Sequence, residues 1–227
     1  MSFRGSSFLC FENVIIEDMD IWGLVFVVVI TLISMVLHEM AHGYVAYWLG
    51  DQTAKLSGRL SPNPLNHIDP VMTIVVPVLL YLMGGPIFGG AKPVPINTRN
   101  LRFREWGMAL VGLAGPFTNL ILALIFFLLG YFTAGNFNGV WGEACVIGVR
   151  VNLGFMLFNM LPIPPLDGSR LLYALAPDFV RRFMETIERY GTTLVFILVL
   201  MFGSFLSGYL YGGRMWFIEM FYHLVGL

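Results

Sequence analysis

Apolar residues are concentrated in long runs separated by short polar segments, and this alternation is the strongest feature of the chain. The runs occupy residues 21–37, 71–83, 108–129, 144–161 and 192–210. Several of them exceed the roughly 18 residues that distinguish a membrane span from a buried core helix. Extended into their polar flanks, they predict spanning helices at 21–49, 106–131, 143–162 and 191–211. The pattern therefore predicts an all-α polytopic membrane protein built as a helical bundle.

One apolar run, VMTIVVPVLLYLMG at 71–84, is too short for an ordinary span. Its 14 residues would rise about 21 Å as a helix, and the loops on both sides of it are basic. Non-helical backbone is tolerated at membrane depth where protein or a wet cavity surrounds it. We therefore expect a short re-entrant segment that enters the membrane, turns at GGPIFGG and returns to the same side.

Charge is scarce, and its distribution predicts the orientation of the helices. Of the 227 residues, 57% are hydrophobic and only 12% are charged, about half the usual charged share. The net charge of −1 argues against a nucleic-acid partner. Ten basic residues fall in three segments that the positive-inside bias places on the cytoplasmic side, and the first 20 residues and the link 132–142 then face outward. These ten are Lys55, Arg59, Lys92, Arg99, Arg102, Arg104, Arg170, Arg181, Arg182 and Arg189.

The two ends of the chain add little. The first 20 residues are acidic and lack the pattern of a cleavable signal peptide, so 21–37 is expected to insert as an uncleaved span. Residues 177–190 alternate charge with aromatic residues at helical spacing and predict an interfacial helix, and 213–227 predicts an apolar tail too short to span. No region predicts a soluble domain, so residues 1–227 are taken as one domain. Cys10 and Cys145 are either free thiols or a lone disulfide.

The first apolar helix contains the sequence HEMAH, residues 38–42, which fits a metal site. Histidines four residues apart lie on one helix face, so His38 and His42 can hold one metal ion, and Glu39 is placed to take a proton from an attacking water. Two helix-packing histidines are the alternative. That alternative is weakened because three ionisable groups are costly inside an apolar helix unless they have a function.

A catalytic zinc needs a third protein ligand and one open position. His67 lies in a polar loop and His223 near the C-terminus. Asp167 follows the helix predicted at 143–162, on the side where the first helix also ends. Asp167 could instead be an ordinary helix N-cap before GSRLLYAL. The residues alone leave these alternatives open.

Three motifs in order resemble the site-2 protease family of intramembrane zinc metalloproteases: HEMAH in one apolar helix, AGPFTN in a second and FNMLPIPPLDG ending a third. The resemblance covers residues 21–176 and implies a three-helix catalytic core there, with 177–227 as an interfacial helix, a further span and a tail. GDQTAKLSGRLSPNPLNHIDP and GGAKPVPIN resemble a compact branch without PDZ or CBS domains. The resemblance implies that one Zn²⁺ per chain is bound by His38, His42 and Asp167. It further implies that Glu39 is the general base and that Asn159 assists near the reacting carbonyl.

The function expected from this resemblance is an intramembrane zinc endopeptidase whose partners are transmembrane substrates and the lipid bilayer. We expect an integral multi-pass protein of the cell membrane with its active site toward the cytoplasm. A non-hydrolytic zinc-binding membrane protein, either a metal carrier or a pseudoprotease scaffold, is the alternative, and the presence of Glu39 argues against it. AKPVPIN, residues 91–97, predicts an extended, β-like edge that pairs with an unwound substrate.

Other polar or small residues inside the predicted spans have expected packing roles. Asn119 and Asn152 are expected to hydrogen-bond between helices. Gly112 and Gly115, with Pro116, are expected to permit close helix approach or a kink. Arg150 is expected to extend toward the outer interface.

Overall fold

The computed structural model describes residues 21–75, 79, 90–134 and 137–226. This part of the chain is helical and contains no β-strand, which confirms the predicted all-α class. A π-helical turn covers Pro70–Val75, and short 3₁₀ turns cover Pro64–Asn66 and Thr98–Asn100. The α-helices within the described residues are α1 Ile21–Trp48, α2 Thr53–Leu56, α3 Arg104–Thr133, α4 Gly139–Asn159, α5 Gly168–Leu175, α6 Asp178–Glu188 and α7 Gly191–Leu224.

Four helices are long and apolar enough to cross a membrane: α1, α3, α4 and the greater part of α7. The chain is therefore an integral multi-pass membrane protein. Helix α3, which carries AGPFTN, packs against α1, α4 and α5, so it contacts the segments that carry the other two sequence motifs. Its buried face includes the small residues Gly107, Ala109, Gly112, Gly115 and Ala123. Small residues let helix backbones approach closely where lipid supplies no hydrophobic driving force.

Most of the predicted re-entrant segment 71–84 lies outside the described residues. Its first residues belong to the π-helical turn Pro70–Val75, and the turn GGPIFGG is described only at Gly90. The re-entrant path therefore stays a prediction.

Residues 91–97 form no helix and no β-ladder with another part of the described chain, and Asn97 has extended backbone angles. The segment is held through its backbone N–H groups. Lys92 donates its N–H to the carbonyl of His67 at 2.8 Å, and Asn97 donates its N–H to a carboxylate oxygen of Asp51 at 2.7 Å. The side chain of Val94 is buried. Residues 91–97 thus lie as an anchored extended segment across the end of α1.

Helix α7 is longer than predicted. The expected span 191–211 and the expected tail 213–227 form one helix that continues to Leu224. Glycine is a poor helix former, and Gly212 and Gly213 lie where the helix was expected to end. Packing overrides this local preference: Gly213 lies against the side chain of Leu157, and Ile218 and Phe221 are buried in the core cluster around Phe127. Backbone angles depart from helical values only at Phe202.

The remaining elements agree with the sequence. Helix α6 forms where an interfacial helix was predicted, and its Phe179 and Phe183 are 75% and 65% exposed. Cys145 is a buried free thiol, and Cys10 lies outside the described residues.

Asp51 joins three segments at the end of α1. Its carboxylate accepts hydrogen bonds from the N–H and hydroxyl of Thr53 at 3.1 and 2.5 Å, from Asn97 N–H and from the amide of Asn100 at 3.2 Å. Burial alone would raise the pKa of Asp51, but these hydrogen bonds outweigh burial and hold the pKa below its ordinary value. Asp51 is therefore an ionised anchor for the segment 91–97.

We predict that Asp51→Ala lowers the free energy of unfolding by about 2–4 kcal/mol at neutral pH, because several hydrogen bonds to a charged group are lost together. A carboxyl whose folded-state pKa is lowered stabilises the fold above its unfolded pKa, and this contribution disappears as the pH falls through the folded pKa. The gap between wild type and variant should therefore narrow below about pH 4. Thermal unfolding in detergent micelles, at neutral pH and below about pH 4, measures this difference in stability. Asp178→Asn, a change at an exposed carboxylate, is the control, and an equal gap at both pH values would contradict the prediction.

Candidate metal centre

His38 and His42 lie one turn apart on the buried face of α1. Each residue is 6% exposed, and their Nε2 atoms are 3.0 Å apart. The two rings meet edge to face, with centroids 4.6 Å apart. The helical spacing of HEMAH therefore brings one nitrogen from each ring to the same point, as the sequence predicts.

A chain of hydrogen bonds through three helices fixes the orientation of His38. Its Nδ1 lies 2.5 Å from Oδ1 of Asn119 on α3. The amide of Asn119 donates to Oδ1 of Asn152 on α4 at 2.9 Å, and the amide of Asn152 donates to the carbonyl of Gly148 at 2.9 Å. Because the backbone carbonyl of Gly148 can only accept, Asn152 must use its N–H₂ group there and its oxygen toward Asn119. Asn119 in turn presents its oxygen to His38, so Nδ1 of His38 is the donor. The neutral imidazole of His38 therefore carries its proton on Nδ1 and presents a lone pair at Nε2.

A single hydrogen bond orients the ring of His42 and also places its proton on Nδ1. Its Nδ1 lies 2.7 Å from the backbone carbonyl of Val111 on α3. This contact requires the Nδ1 proton and leaves Nε2 of His42 as an acceptor. Both histidines thus turn lone pairs toward one another.

Asp167 supplies the third atom, from the position immediately before α5. Its side chain forms no capping hydrogen bond, so the alternative of an ordinary N-cap does not describe it. Its Oδ2 lies 3.1 Å from Nε2 of His38 and 3.4 Å from Nε2 of His42. A carboxyl group binds a metal ion in its ionised form, so Asp167 offers a carboxylate oxygen at this point.

The three atoms suit a bound cation. They lie within 4.8 Å of one another, and Oδ2 of Asp167 is buried without a hydrogen-bond partner. Two lone pairs and a carboxylate oxygen repel one another unless a positive charge lies between them. Two imidazole nitrogens and one carboxylate oxygen are a three-ligand donor set that leaves a fourth position open, as in catalytic zinc sites. The residues therefore fit Zn²⁺.

Glycine residues make room for this arrangement. A Cβ atom on Gly115 of α3 would lie 2.5 Å from Cε1 of His38 and 2.5 Å from Nε2 of His42. A Cβ atom on Gly168 would lie 2.3 Å from the carbonyl oxygen of Met160. The first glycine lets α3 support the two rings directly, and the second lets the chain turn tightly beside Asp167. The close approach expected at Gly115 is confirmed.

Glu39 lies beside the first histidine and is held by the extended segment 91–97. Its Oε2 accepts the backbone N–H of Val94 at 3.1 Å. Val94 is itself buried, with its side chain close to Gly43 of α1. One oxygen of Glu39 is thus fixed by a backbone donor.

The other residues considered from the sequence lie elsewhere. His67 is fully buried and its Nε2 contacts the carbonyl of Ser61 at 2.9 Å, while His223 is exposed near the end of α7. Neither belongs to the group that can share a metal. Asn159 is half-buried and its amide donates to the carbonyl of Phe155 in its own helix at 3.1 Å. Its assisting role stays a prediction.

Four groups support the site in ways that the sequence analysis did not predict. Asn119 and Asn152 were expected to join helices, which they do, but their place behind His38 was not expected. The N–H of Val94 and the carbonyl of Val111 are backbone groups, and the sequence offers no sign of such contacts. The only sequence feature that pointed to supporting residues on α3 was the motif AGPFTN, which contains both Gly115 and Asn119.

Comparison with known proteins finds relatives named as zinc metalloproteases. "Putative zinc metalloprotease YwhC" of Bacillus subtilis is 41% identical over 180 residues, which cover 76% of this chain and 79% of the relative. "Putative zinc metalloprotease Rip2" of Mycolicibacterium smegmatis is 33% identical, with 78% of this chain and 68% of the relative covered. Its namesake in Mycobacterium tuberculosis is 30% identical, with 86% and 74% covered. No family model matches the sequence, and no solved structure matches it significantly.

We predict that Gly115→Ala strongly lowers the zinc content of the purified protein, because the added methyl group would displace both imidazoles. Gly154→Ala is the matched control, since a Cβ at that membrane-helix position meets no atom within 4 Å. Metal analysis of both variants, alongside their melting temperatures, measures the effect. Normal zinc content in a folded Gly115→Ala protein would show that the rings do not bind metal in this arrangement.

Proposed function

The chain belongs to the site-2 protease family of zinc metalloproteases, and we propose that it hydrolyses peptide bonds within or near transmembrane segments of membrane proteins. The observation that carries this proposal is the convergence of His38, His42 and Asp167 in a bundle of membrane-spanning helices, with Glu39 next to the first of them. An electron-rich pocket and an adjacent carboxylate in a membrane suit hydrolysis of a substrate that itself lies in the membrane.

In this mechanism His38, His42 and Asp167 would hold one Zn²⁺. When bound, the ion would act as a Lewis acid toward the scissile carbonyl and would make water acidic enough to attack near neutral pH. Asn119 and the Val111 carbonyl keep the two rings in the tautomer that such a site needs. Supporting contacts of this kind typically contribute 10–100-fold to metal affinity.

Glu39 is the proposed general base. The N–H of Val94 holds one oxygen of its carboxylate, so the other oxygen is available to take the proton of the attacking water. Glu39 then gives this proton to the leaving amine as the peptide bond breaks. The hydrogen bond from Val94 fixes the orientation of the carboxylate before substrate arrives. Asn159 is proposed to hydrogen-bond near the reacting carbonyl.

The extended segment 91–97 is the proposed contact for an unwound substrate. Three of its N–H groups are already used: Lys92 and Asn97 anchor it to the protein, and Val94 donates to Glu39. Pro93 and Pro95 have no N–H. A substrate strand added here would find mainly carbonyl acceptors, so we propose that the substrate donates most of the hydrogen bonds between the two chains.

The proposed active site opens toward the cytoplasm. Helix α1 ends at the exposed Trp48, ten residues beyond His38, or about 15 Å along the helix axis. Lys55 lies over the Tyr47 ring at 4.6 Å, and aromatic and basic residues together are typical of a membrane interface. The basic loops adjoin this end of α1, which supports their cytoplasmic placement in the cell membrane.

We predict that Glu39→Gln keeps about one zinc per chain, the content of a three-ligand site, and loses at least a hundredfold of its hydrolytic rate. The amide has nearly the same size but cannot take a proton, and general-base assistance is typically worth 10²–10⁴-fold. His38→Ala should lose zinc and activity together. Cleavage of a single-span reporter in liposomes and zinc content are measured for each variant.

The ligand set is tested in the same assay. Asp167→Ala should lose much of its zinc, whereas His67→Ala should keep it, because His67 lies outside the metal-binding group. Full activity in Glu39→Gln would remove the protease mechanism and favour a non-hydrolytic zinc-binding protein. Loss of zinc in His67→Ala alone would contradict the ligand set.

The orientation predicts which surfaces a membrane-impermeant thiol reagent reaches. Single cysteines at the exposed positions Ser57, Thr98 and Glu185 should react from the cytoplasmic side, and a cysteine at Val140 should react from outside. The background is low because Cys145 is buried and Cys10 can be replaced by serine. Reaction at Thr98 from outside would mean that 71–84 crosses the membrane completely and that the proposed orientation is wrong.

A further inference from the structure

Two arginines lie inside the membrane-spanning helices, on the side of the bundle formed by α4 and α7. Arg150 is eleven residues after Gly139 in the 21-residue helix α4, about 16 Å from its start. A spanning helix of this length matches the roughly 30 Å hydrocarbon core. Arg150 therefore lies near the middle of its span.

The packing of α4 against α7 brings Arg214 to the same region. Gly213 lies against the side chain of Leu157, and the hydroxyl of Tyr209 reaches the carbonyl of Leu157. Ile218, on the following turn of α7, belongs to the same core cluster as Val149 and Leu153 of α4. Arg150 lies seven residues before Leu157, or about 10 Å along α4, so the long side chains of Arg150 and Arg214 can approach each other.

The described part of the protein supplies no counter-charge for this pair. Nη1 of Arg150 is buried and has no hydrogen-bond partner. Nε of Arg214 donates to the carbonyl of Leu210 in its own helix. The phenol of Tyr211 lies near Arg214, but a phenol is neutral at physiological pH. The ion pairs found in the described residues involve neither arginine.

Two unbalanced charges in a bilayer are costly, and charged residues at this depth ordinarily pair or mark a binding path. Guanidinium groups bind carboxylates with strong, oriented hydrogen bonds. Lipid phosphates lie at the membrane surface, about 15 Å from the middle of the hydrocarbon core, so a lipid headgroup does not suit this depth. A carboxylate carried by another membrane-spanning helix does.

We propose that Arg150 and Arg214 form a docking site for an acidic side chain, Asp or Glu, near the middle of a partner's transmembrane helix. Both arginines are only half-buried, so a partner helix can reach them where α4 meets α7, whereas Asn152 of α4 hydrogen-bonds toward Asn119 and His38. A partner helix bound at the arginines therefore does not occupy the metal centre. The inference is independent of hydrolysis.

The experiment uses synthetic single-span Leu/Ala peptides with one central Asp or one central Asn, and the purified protein in phosphatidylcholine liposomes. Association is measured by energy transfer between fluorescent labels. Wild type should bind the Asp peptide at least tenfold more tightly than the Asn peptide. The preference should disappear when Asp is moved two helical turns toward either end, because the arginines would no longer reach it.

Arg150→Gln combined with Arg214→Gln should bind the two peptides equally, whereas the exposed Arg189→Gln should keep the preference. Zinc content and melting temperature show that each variant is folded. The proposal is overturned if wild type does not distinguish the peptides, or if the double variant still does. It is also overturned if phosphatidylglycerol in the vesicles abolishes the preference, since the arginines would then be a site for lipid phosphate.

Discussion

The repulsion among two imidazole lone pairs and one carboxylate oxygen is the constraint on which the rest of the structure depends. Without other contacts, the side chains of His38, His42 and Asp167 would rotate away from one another, because their facing lone pairs repel. They are prevented from doing so by groups on three other segments. Asn119, Asn152 and the Gly148 carbonyl hold one ring, the Val111 carbonyl holds the other, and the turn at Gly168 presents the carboxylate. Each of these contacts is satisfied inside the protein, as a bilayer requires, since lipid offers no hydrogen bonds to compete.

Much of this site follows from the sequence, for reasons that differ from residue to residue. The spacing of His38 and His42 is enough to place them on one helix face, because helical periodicity is a local property. Asp167 lies 125 residues after His42, and no local rule brings two such distant segments together. Its assignment as a ligand rested on the resemblance, and the structure adds that its side chain is turned to the histidines and forms no cap. The order of the apolar runs likewise predicted the four membrane-spanning helices.

The features that sequence reasoning missed depend on how helices pack. The role of Asn119 appears only when α1, α3 and α4 are assembled, since its amide bridges His38 and Asn152. The hydrogen bond from Val94 to Glu39 uses a backbone group that any residue except proline could supply. Glycines at 212 and 213 disfavour a helix, yet the helix continues through them and packs Gly213 against Leu157. In each case a tertiary contact outweighs a local preference.

Helix α7 is unusually long for a membrane span, and this has a consequence for the surrounding lipid. Its 34 residues rise about 51 Å, well beyond a hydrocarbon core of roughly 30 Å. Such a hydrophobic mismatch is accommodated by tilting, by bending or by local thickening of the bilayer, and the irregular backbone at Phe202 provides a point of bending. Bilayer thickness therefore acts mechanically on α7. Through the contact between Gly213 and Leu157, it acts also on α4, the helix that carries Asn152.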